Sequence, residues 1–303
     1  MKTFALALGV LTFIIAACHA GESRDEIWQP TTPGPFVVYT APLCRQNELD
    51  IQPLYFFNIT RGSFNEIGGY KSLSSKDYKY QQLIQLFMQY GITDCFEIDC
   101  QPSWQFNYAR AGGLSAESAG FGDIQLLARF CFLDETKWLP RATGIFQAKL
   151  PTGKYEKADE GKLDTDITGT GSTDYNYGIS LTKGIEPMRL LLHADFLYAN
   201  IPLPARVDGV KTEFSGIFIL NSAFEWIFYK NFNLMGELLW QTQGDRREDG
   251  DWAPSTEQSS LIASTGLGYS EKSWQLLIGY QRTVWGENVD ANDTVAATMI
   301  FIF

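Results

Sequence analysis

Residues 95–109 alternate between apolar and polar side chains. The apolar set is Phe96, Ile98, Cys100, Pro102, Trp104, Phe106 and Tyr108, and the intervening set is Cys95, Glu97, Asp99, Gln101, Ser103, Gln105 and Asn107. A strand points successive side chains to opposite faces, whereas a helix has about 3.6 residues per turn. The pattern therefore predicts a β-strand with one apolar face and one polar face.

The same alternation recurs along the chain and predicts twelve strands. These are residues 51–62, 81–90, 95–109, 122–133, 141–150, 174–183, 188–199, 213–229, 231–242, 259–270, 273–285 and 294–303. The composition agrees, since 14% of the residues are aromatic and 27 are glycine. Aromatic residues favour strands and glycine favours turns.

Alternation alone fits either a soluble sandwich or a membrane-spanning barrel. The predicted connections alternate between long and short along the whole chain, as they do in outer-membrane barrels. Two of the long connections, 153–174 and 244–257, are charged and rich in glycine, and the last predicted strand runs to Phe303. We therefore predict an all-β chain, folded as a single antiparallel up-and-down transmembrane β-barrel of about 12 strands with both termini in the periplasm.

The first residues resemble an export signal rather than part of a fold. Lys2 precedes an apolar run over residues 4–17, which is too short for a comfortable membrane span. Cleavage after Ala20 is favoured over lipidation of Cys18, because an integral barrel needs no lipid anchor. The predicted units are a signal peptide at 1–20, a proline-rich periplasmic or lumen segment at 21–50, and the barrel at 51–303.

Charge and histidine content exclude several classes of function. The net charge of −11 disfavours nucleic acid as a partner, because binding to polyphosphate needs basic residues. With two histidines in the chain, we expect no metal site and no cofactor. His193 and Asp195 share a face, as residues i and i+2 do in any strand, and we expect no enzymatic activity.

Strand parity turns a set of polar side chains toward the interior. The lumen-lining candidates are Glu97, Asp99, Gln101, Gln105, Asn107, Arg129, Arg141, Gln147, Lys149, Arg189, His193, Asp195, Glu225 and Glu237. Such a set can select solutes through its charges and hydrogen-bond donors, or it can fill the bore of a narrow barrel by mutual hydrogen bonds. Both interpretations are open from the sequence.

Cys95 and Cys131 fall near the same end of two adjacent predicted strands, and both face inward. A cross-strand disulfide requires a Cα separation below about 7 Å. The sequence is equally compatible with two separate thiols.

Four glycine-containing motifs occur in a fixed order. They are Gln89-Tyr90-Gly91-Ile92-Thr93-Asp94, Gly120-Phe121-Gly122-Asp123, Leu150-Pro151-Thr152-Gly153-Lys154 and Gly169-Thr170-Gly171-Ser172. Over roughly residues 50–303 the chain resembles the bacterial outer-membrane barrels described as "putative MetA-pathway of phenol degradation" proteins. The resemblance implies an outer-membrane location and a link to phenolic compounds.

Together, the barrel and the resemblance predict a channel for passive passage of small solutes, aromatic or otherwise apolar ones included. The expected partners are outer-membrane lipid and, through an aromatic C-terminal residue that resembles its recognition signal, the barrel-assembly machinery. The alternative is an envelope structural or surface-interaction barrel with a closed pore.

Overall fold

The computed structural model describes residues 28–303, so the predicted signal peptide and Cys18 lie outside the described residues. Twelve strands form the main sheet, two of them interrupted once. The strands are β1 Leu49–Phe64, β2 Tyr78–Thr93, β3 Phe96–Gln101 and Ser103–Ala111, β4 Leu114–Phe121 and Ile124–Leu133, β5 Arg141–Leu150, β6 Asp174–Ile185, β7 Leu190–Asn200, β8 Ile217–Tyr229, β9 Phe232–Gln243, β10 Gln258–Ser270, β11 Trp274–Glu287 and β12 Val289–Ile302.

The sheet closes on itself. Each strand pairs antiparallel with its neighbours in sequence, and β1 pairs on one edge with β2 and on the other with β12. Asp50 lies opposite Ile302 at one end of the closing pair, and Phe64 lies opposite Val289 at the other. Closure removes the open edges of the barrel wall, which is the requirement for a sheet that spans a bilayer. The predicted twelve-stranded barrel is confirmed.

The outer surface of the strands is apolar and the buried face is largely polar. Ile98, Phe196 and Leu238 are 45%, 49% and 52% exposed, whereas Glu97 and Glu225 are fully buried. A charged side chain on the lipid face would cost about 2–4 kcal/mol at the bilayer midplane. The burial pattern therefore gives the direction of the two faces: apolar side chains toward lipid and polar side chains toward the bore.

Two predicted long loops are strand instead. The predicted loop 109–121 is largely the outer part of a β3–β4 hairpin, which turns at Gly112 and Gly113 with φ of 59° and 86°. These positive φ values suit a tight hairpin turn of the kind that favours glycine. The predicted loop 286–293 is strand except at Asn288, which turns with φ of 51°. The predicted alternation of long and short connections fails at these two places, because the strands extend beyond the residues that alternate between apolar and polar.

The connections that follow β2, β4, β6, β8 and β10 share one rim with the two ends of the barrel sheet. Leu49 N–H donates to the Phe303 carbonyl at 3.2 Å, and Phe303 N–H donates back at 3.0 Å. A 3-10 turn at Glu186–Met188 precedes β7 on this rim. Since an even number of antiparallel strands returns the chain to its starting side, the remaining connections lie at the opposite rim.

The connections at the opposite rim carry strands of their own. Tyr70–Ser72 pairs with β1, and four short strands join the β7–β8 and β9–β10 connections into a small sheet. These four are Ala205–Val207, Val210–Glu213, Arg247–Glu248 and Asp251–Trp252. Within residues 28–303, no helix has the length and apolar character needed to cross a membrane.

Candidate functional site

Residues 28–48, here called the inner segment, lie inside the bore of the barrel. Four of their backbone N–H groups donate to side chains that project from the buried faces of four different strands. The bonds join Cys44 to Glu97, Ala41 to Thr182, Tyr39 to Asp195 and Val37 to Glu237, at 2.7, 2.8, 2.8 and 3.0 Å. The strands involved are β3, β6, β7 and β9, and only a segment inside the barrel can contact the inner faces of all four.

The sequence of the inner segment explains why it needs these partners. Four prolines within it, Pro30, Pro33, Pro35 and Pro42, have no N–H and fix φ near −65°. The segment therefore has no regular hydrogen-bonding partner strand along its length. A buried backbone N–H without a partner is costly, and the carboxylates of the barrel supply the missing acceptors.

Glu225 joins the start of the inner segment to two barrel side chains. Its Oε1 accepts from Thr32 Oγ1 at 2.9 Å and lies 3.1 Å from His193 Nε2, and its Oε2 accepts from Asn233 Nδ2 at 2.6 Å. The other ring nitrogen of His193 lies 3.0 Å from Thr182 Oγ1, so both nitrogens have partners. This geometry makes His193 part of a buried hydrogen-bond network around the inner segment.

Arg129 on β4 is the buried cation nearest the middle of the inner segment. Its Nη1 lies 2.6 Å from Glu97 Oε1, and its Nη2 donates to the Thr40 carbonyl. The side chains of Arg129 and Glu97 are 2% and 0% exposed. Because Glu97 also accepts from Cys44, one ion pair binds the inner segment at two points.

Two glycines in the strands leave space for the inner segment. A Cβ on Gly91 would lie 2.0 Å from the Arg45 carbonyl oxygen, and one on Gly268 would lie 2.7 Å from Pro33 Cγ. Both distances are far below van der Waals contact. At these two positions β2 and β10 therefore approach the inner segment more closely than a residue with a side chain would allow.

Alternate residues of the inner segment pack on apolar patches of the barrel. Phe36 and Val38 are 7% and 4% exposed, whereas Val37 between them is 41% exposed. Val38 contacts the cluster that includes Ala223 and Leu239. The side chains that form hydrogen bonds with the inner segment lie on strands β3 to β9. The apolar contacts stabilise the segment further by burying hydrophobic surface.

A cavity of about 490 Å³ remains beside the inner segment. It is lined on one side by that segment and on the other by strand residues that include Gln85, Phe87 and Arg129. This volume is within the range of small-molecule sites. The bore is therefore partly filled, with a mixed polar and apolar space left next to the inner segment.

Thirteen of the fourteen predicted lumen-lining residues lie in strands and are buried or half-buried. The buried ones are Glu97, Asp99, Gln105, Arg129, Gln147, His193, Asp195, Glu225 and Glu237, and the half-buried ones are Gln101, Asn107, Arg141 and Lys149. Arg189 is the exception, and its prediction was wrong. It is exposed at the rim with φ of 51°, because the 3-10 turn containing Pro187 delays the start of β7 to Leu190.

The connection 151–173 folds over the outer part of the bore. Gln105 Nε2 donates to the Thr168 carbonyl, and Asn107 Nδ2 donates to the Thr165 carbonyl at 2.8 Å. Within this connection Lys154 forms an ion pair with Asp166. Burial alone would raise the pKa of Asp166, but the hydrogen bonds from Lys154 and from the backbone outweigh it and lower the pKa.

The Cys95–Cys131 disulfide, which the sequence allowed as one of two alternatives, does not form, because Cys131 carries a free thiol. Its Sγ points to the Leu133 carbonyl at 3.6 Å, whereas Cys95 Sγ lies 3.5 Å from Thr93 Oγ1. The two sulfur atoms thus turn to different neighbours, although Cys131 N–H donates to the Cys95 carbonyl at 2.9 Å.

Sequence reasoning missed the uncharged residues that hold the inner segment. Thr182 accepts from Ala41 N–H, and Thr143 Oγ1 donates to the Ala41 carbonyl at 2.6 Å. Thr182 lies at the end of a weakly alternating predicted strand, and Thr143 has the same strand parity as the inward-facing Arg141 but carries no charge. Gly91 and Gly268 gave no signal beyond turn chemistry, because their importance depends on what lies opposite them.

The fold resembles those of solved outer-membrane barrels. The chain is 14% identical to the COG4313 outer membrane channel from Pseudomonas putida F1, with a TM-score of 0.72 over 89% of this chain and 99% of that one. The beta domain of the Bordetella autotransporter BrkA gives a TM-score of 0.48 at 9% identity, over 84% and 99% of the two chains. The translocator domain of autotransporter NalP from Neisseria meningitidis gives 0.46 at 10% identity, over 99% and 97%. No curated protein has a sequence that matches this chain.

The family comparison covers most of the barrel. The model of the family described as "Putative MetA-pathway of phenol degradation" matches residues 90–299, from the end of β2 to β12. With its closed sheet and outward apolar belt, the chain is an outer-membrane β-barrel. It belongs to the family described as "Putative MetA-pathway of phenol degradation".

Proposed function

We propose that this protein is a passive channel for small solutes and that the inner segment is its gate. The observation that carries the proposal is the set of hydrogen bonds between the inner segment and buried carboxylates of the barrel. If the inward carboxylates only filled the bore, they would not need to accept hydrogen bonds from the backbone of a separate, proline-rich segment. The described arrangement is then the closed state of the channel.

The contacts of the inner segment are of a kind that can be broken and remade. Most of them are hydrogen bonds from backbone N–H groups to carboxylate or hydroxyl oxygen atoms, which water can replace. Pairing between the barrel strands does not depend on the inner segment, because the backbone hydrogen bonds that pair these strands are made between the strands themselves. Release of the inner segment therefore leaves the barrel closed around an open, hydrated bore.

The solute class that we propose is small and aromatic or otherwise apolar. The family description refers to phenol degradation. In this chain, Phe36, Leu54, Phe56 and Phe87 line the cavity together with polar residues. An apolar side of the bore beside a hydrated polar side suits a solute that is sparingly soluble in water.

The rim that contains Phe303 is, in this proposal, the periplasmic one. Both ends of the sheet then lie in the periplasm, and the inner segment enters the bore from that side. The long connections face the outside, as they do in outer-membrane barrels. We further propose that residues 1–20 direct export and that the terminal Phe303 is read by the barrel-assembly machinery.

The test is liposome swelling with the purified full chain and with a chain that lacks residues 28–44. We expect slow swelling with sugars of graded size for the full chain and at least several-fold faster swelling for the shortened chain. Empty liposomes supply the background, and heat-modifiable migration on gels shows that both barrels are folded. Deleting this part of the inner segment leaves Leu49, the first residue of β1, in place.

Equal, background-level swelling for both chains would contradict a channel. That result would favour the alternative of a closed envelope barrel whose structured outer connections carry its role. The small sheet built from Ala205–Val207, Val210–Glu213, Arg247–Glu248 and Asp251–Trp252 would then be the surface to examine.

A further inference from the structure

The ring of Phe36 fills a pocket in the inner face of the barrel. Its buried neighbours are Leu54 and Phe56 on β1, Met235 on β9 and Leu277 on β11. The rings of Phe36 and Phe56 meet edge to face, with centroids 6.4 Å apart and planes at 64°. This edge-to-face arrangement is one that aromatic pairs favour.

Gly279 gives this pocket its depth. A Cβ at that position would lie 2.6 Å from Phe36 Cε2 and 2.4 Å from the Thr265 carbonyl oxygen. Any larger residue would occupy the space that the ring now takes. At Gly279, β11 therefore has no side chain, and the ring of Phe36 packs in the space that a side chain would take.

The pocket adjoins the remaining cavity. Phe36, Leu54 and Phe56 line both the pocket and the cavity of about 490 Å³. A solute in the cavity thus lies against the ring that closes the pocket. If the inner segment moves away, the pocket is left apolar, and an apolar space of this kind binds a small aromatic molecule better than it binds water.

We infer that the Phe36 pocket is a subsite for one aromatic ring of a small solute, which enters by displacing Phe36. This inference rests on the proposed function and adds the place where the solute binds during passage. Phe36 acts as an internal competitor, since its ring occupies the same volume as that of the solute. Removing an internal competitor raises the apparent affinity by a factor equal to the reciprocal of the fraction of time for which the site is open.

The test measures equilibrium binding of 4-fluorobenzyl alcohol to the full-length barrel by fluorine NMR. We expect Phe36→Ala to bind the probe at least about tenfold more tightly than the unmodified chain. Val38→Ala is the matched control, because it removes apolar contact from the same segment while the ring of Phe36 stays in place. All samples use the same detergent, so that partition of the probe into micelles is common to them.

A second variant tests the pocket itself. Adding Gly279→Leu to Phe36→Ala fills the space and is expected to abolish the gain in affinity. Equal binding by Phe36→Ala and the unmodified chain would overturn the inference, and so would an equal gain with Val38→Ala. If the double variant fails to fold, the comparison of Phe36→Ala with Val38→Ala still decides the question.

The proposed function and this subsite fail in different measurements. Binding is measured at equilibrium and needs no flux, whereas the channel is tested by liposome swelling. Swelling without a gain in binding for Phe36→Ala would leave a channel with no aromatic subsite at this position. A gain in binding without swelling would leave the subsite in a barrel that does not pass solutes.

Discussion

Replacing Arg129 with methionine is expected to lower the free energy of unfolding by about 3–5 kcal/mol and to release the inner segment. The substitution leaves Glu97 as an unpaired charge that is 0% exposed, and it removes the donor to the Thr40 carbonyl. Urea unfolding of the barrel in lipid vesicles measures the first effect. Liposome swelling measures the second, and we expect faster swelling than for the unmodified chain.

Two comparisons separate the buried ion pair from a general loss of charge. Arg61→Met breaks an ion pair with Asp293 in which the two side chains are 20% and 31% exposed, and an ion pair that water reaches contributes about 1 kcal/mol or less. Adding Glu97→Gln to Arg129→Met removes the unpaired charge and is expected to recover much of the lost stability. A loss of the same size from Arg61→Met, or no recovery in the double variant, would contradict the role assigned to the pair.

Gly91→Ala is expected to detach the inner segment from β2 without unfolding the barrel. Its Cβ would lie 2.0 Å from the Arg45 carbonyl oxygen and 2.8 Å from that of Cys44, so the backbone of the segment has to move. In the native chain Gln46 N–H donates to Asp94, and Asn47 N–H donates to the Gly91 carbonyl. Loss of these bonds frees the chain after Arg45, and we expect trypsin to cleave there at least about tenfold faster.

Gly144→Ala is the matched control for this substitution. Gly144 also lies within a strand, β5, but the nearest atom to its Cβ would be 3.8 Å away, which is ordinary contact. Cleavage after Arg45 should then stay at the native rate. Equal protection of the Arg45–Gln46 bond in both variants would show that the close approach at Gly91 does not hold the inner segment.

The fold could be predicted because strand alternation is a local property. Each of the twelve strands shows its own alternation, and closure follows from the need to satisfy every backbone group in lipid. The predictions failed where the pattern weakens. Alternation stops near Tyr108, yet β3 continues to Ala111, because the Gly112-Gly113 turn and not the side-chain pattern sets the end of that hairpin.

The inner segment could not be placed from the sequence, because it has no periodicity of its own. Strand parity predicted that Glu97, Asp195 and Glu237 face inward. It could not show that their carboxylate oxygens accept hydrogen bonds from backbone N–H groups of the inner segment, more than 50 residues away in the chain. The sequence also does not reveal the space at Gly279, because this space matters only when Phe36 lies opposite it in the folded chain. Long-range partners of this kind are known only once the chain is folded.

Single-channel recording in planar bilayers tests the central claim most directly. The full chain should show a small current with brief openings to a larger level, and the chain lacking residues 28–44 should remain at the larger level. The same conductance for both chains, with the same openings, would show that the inner segment does not close the bore.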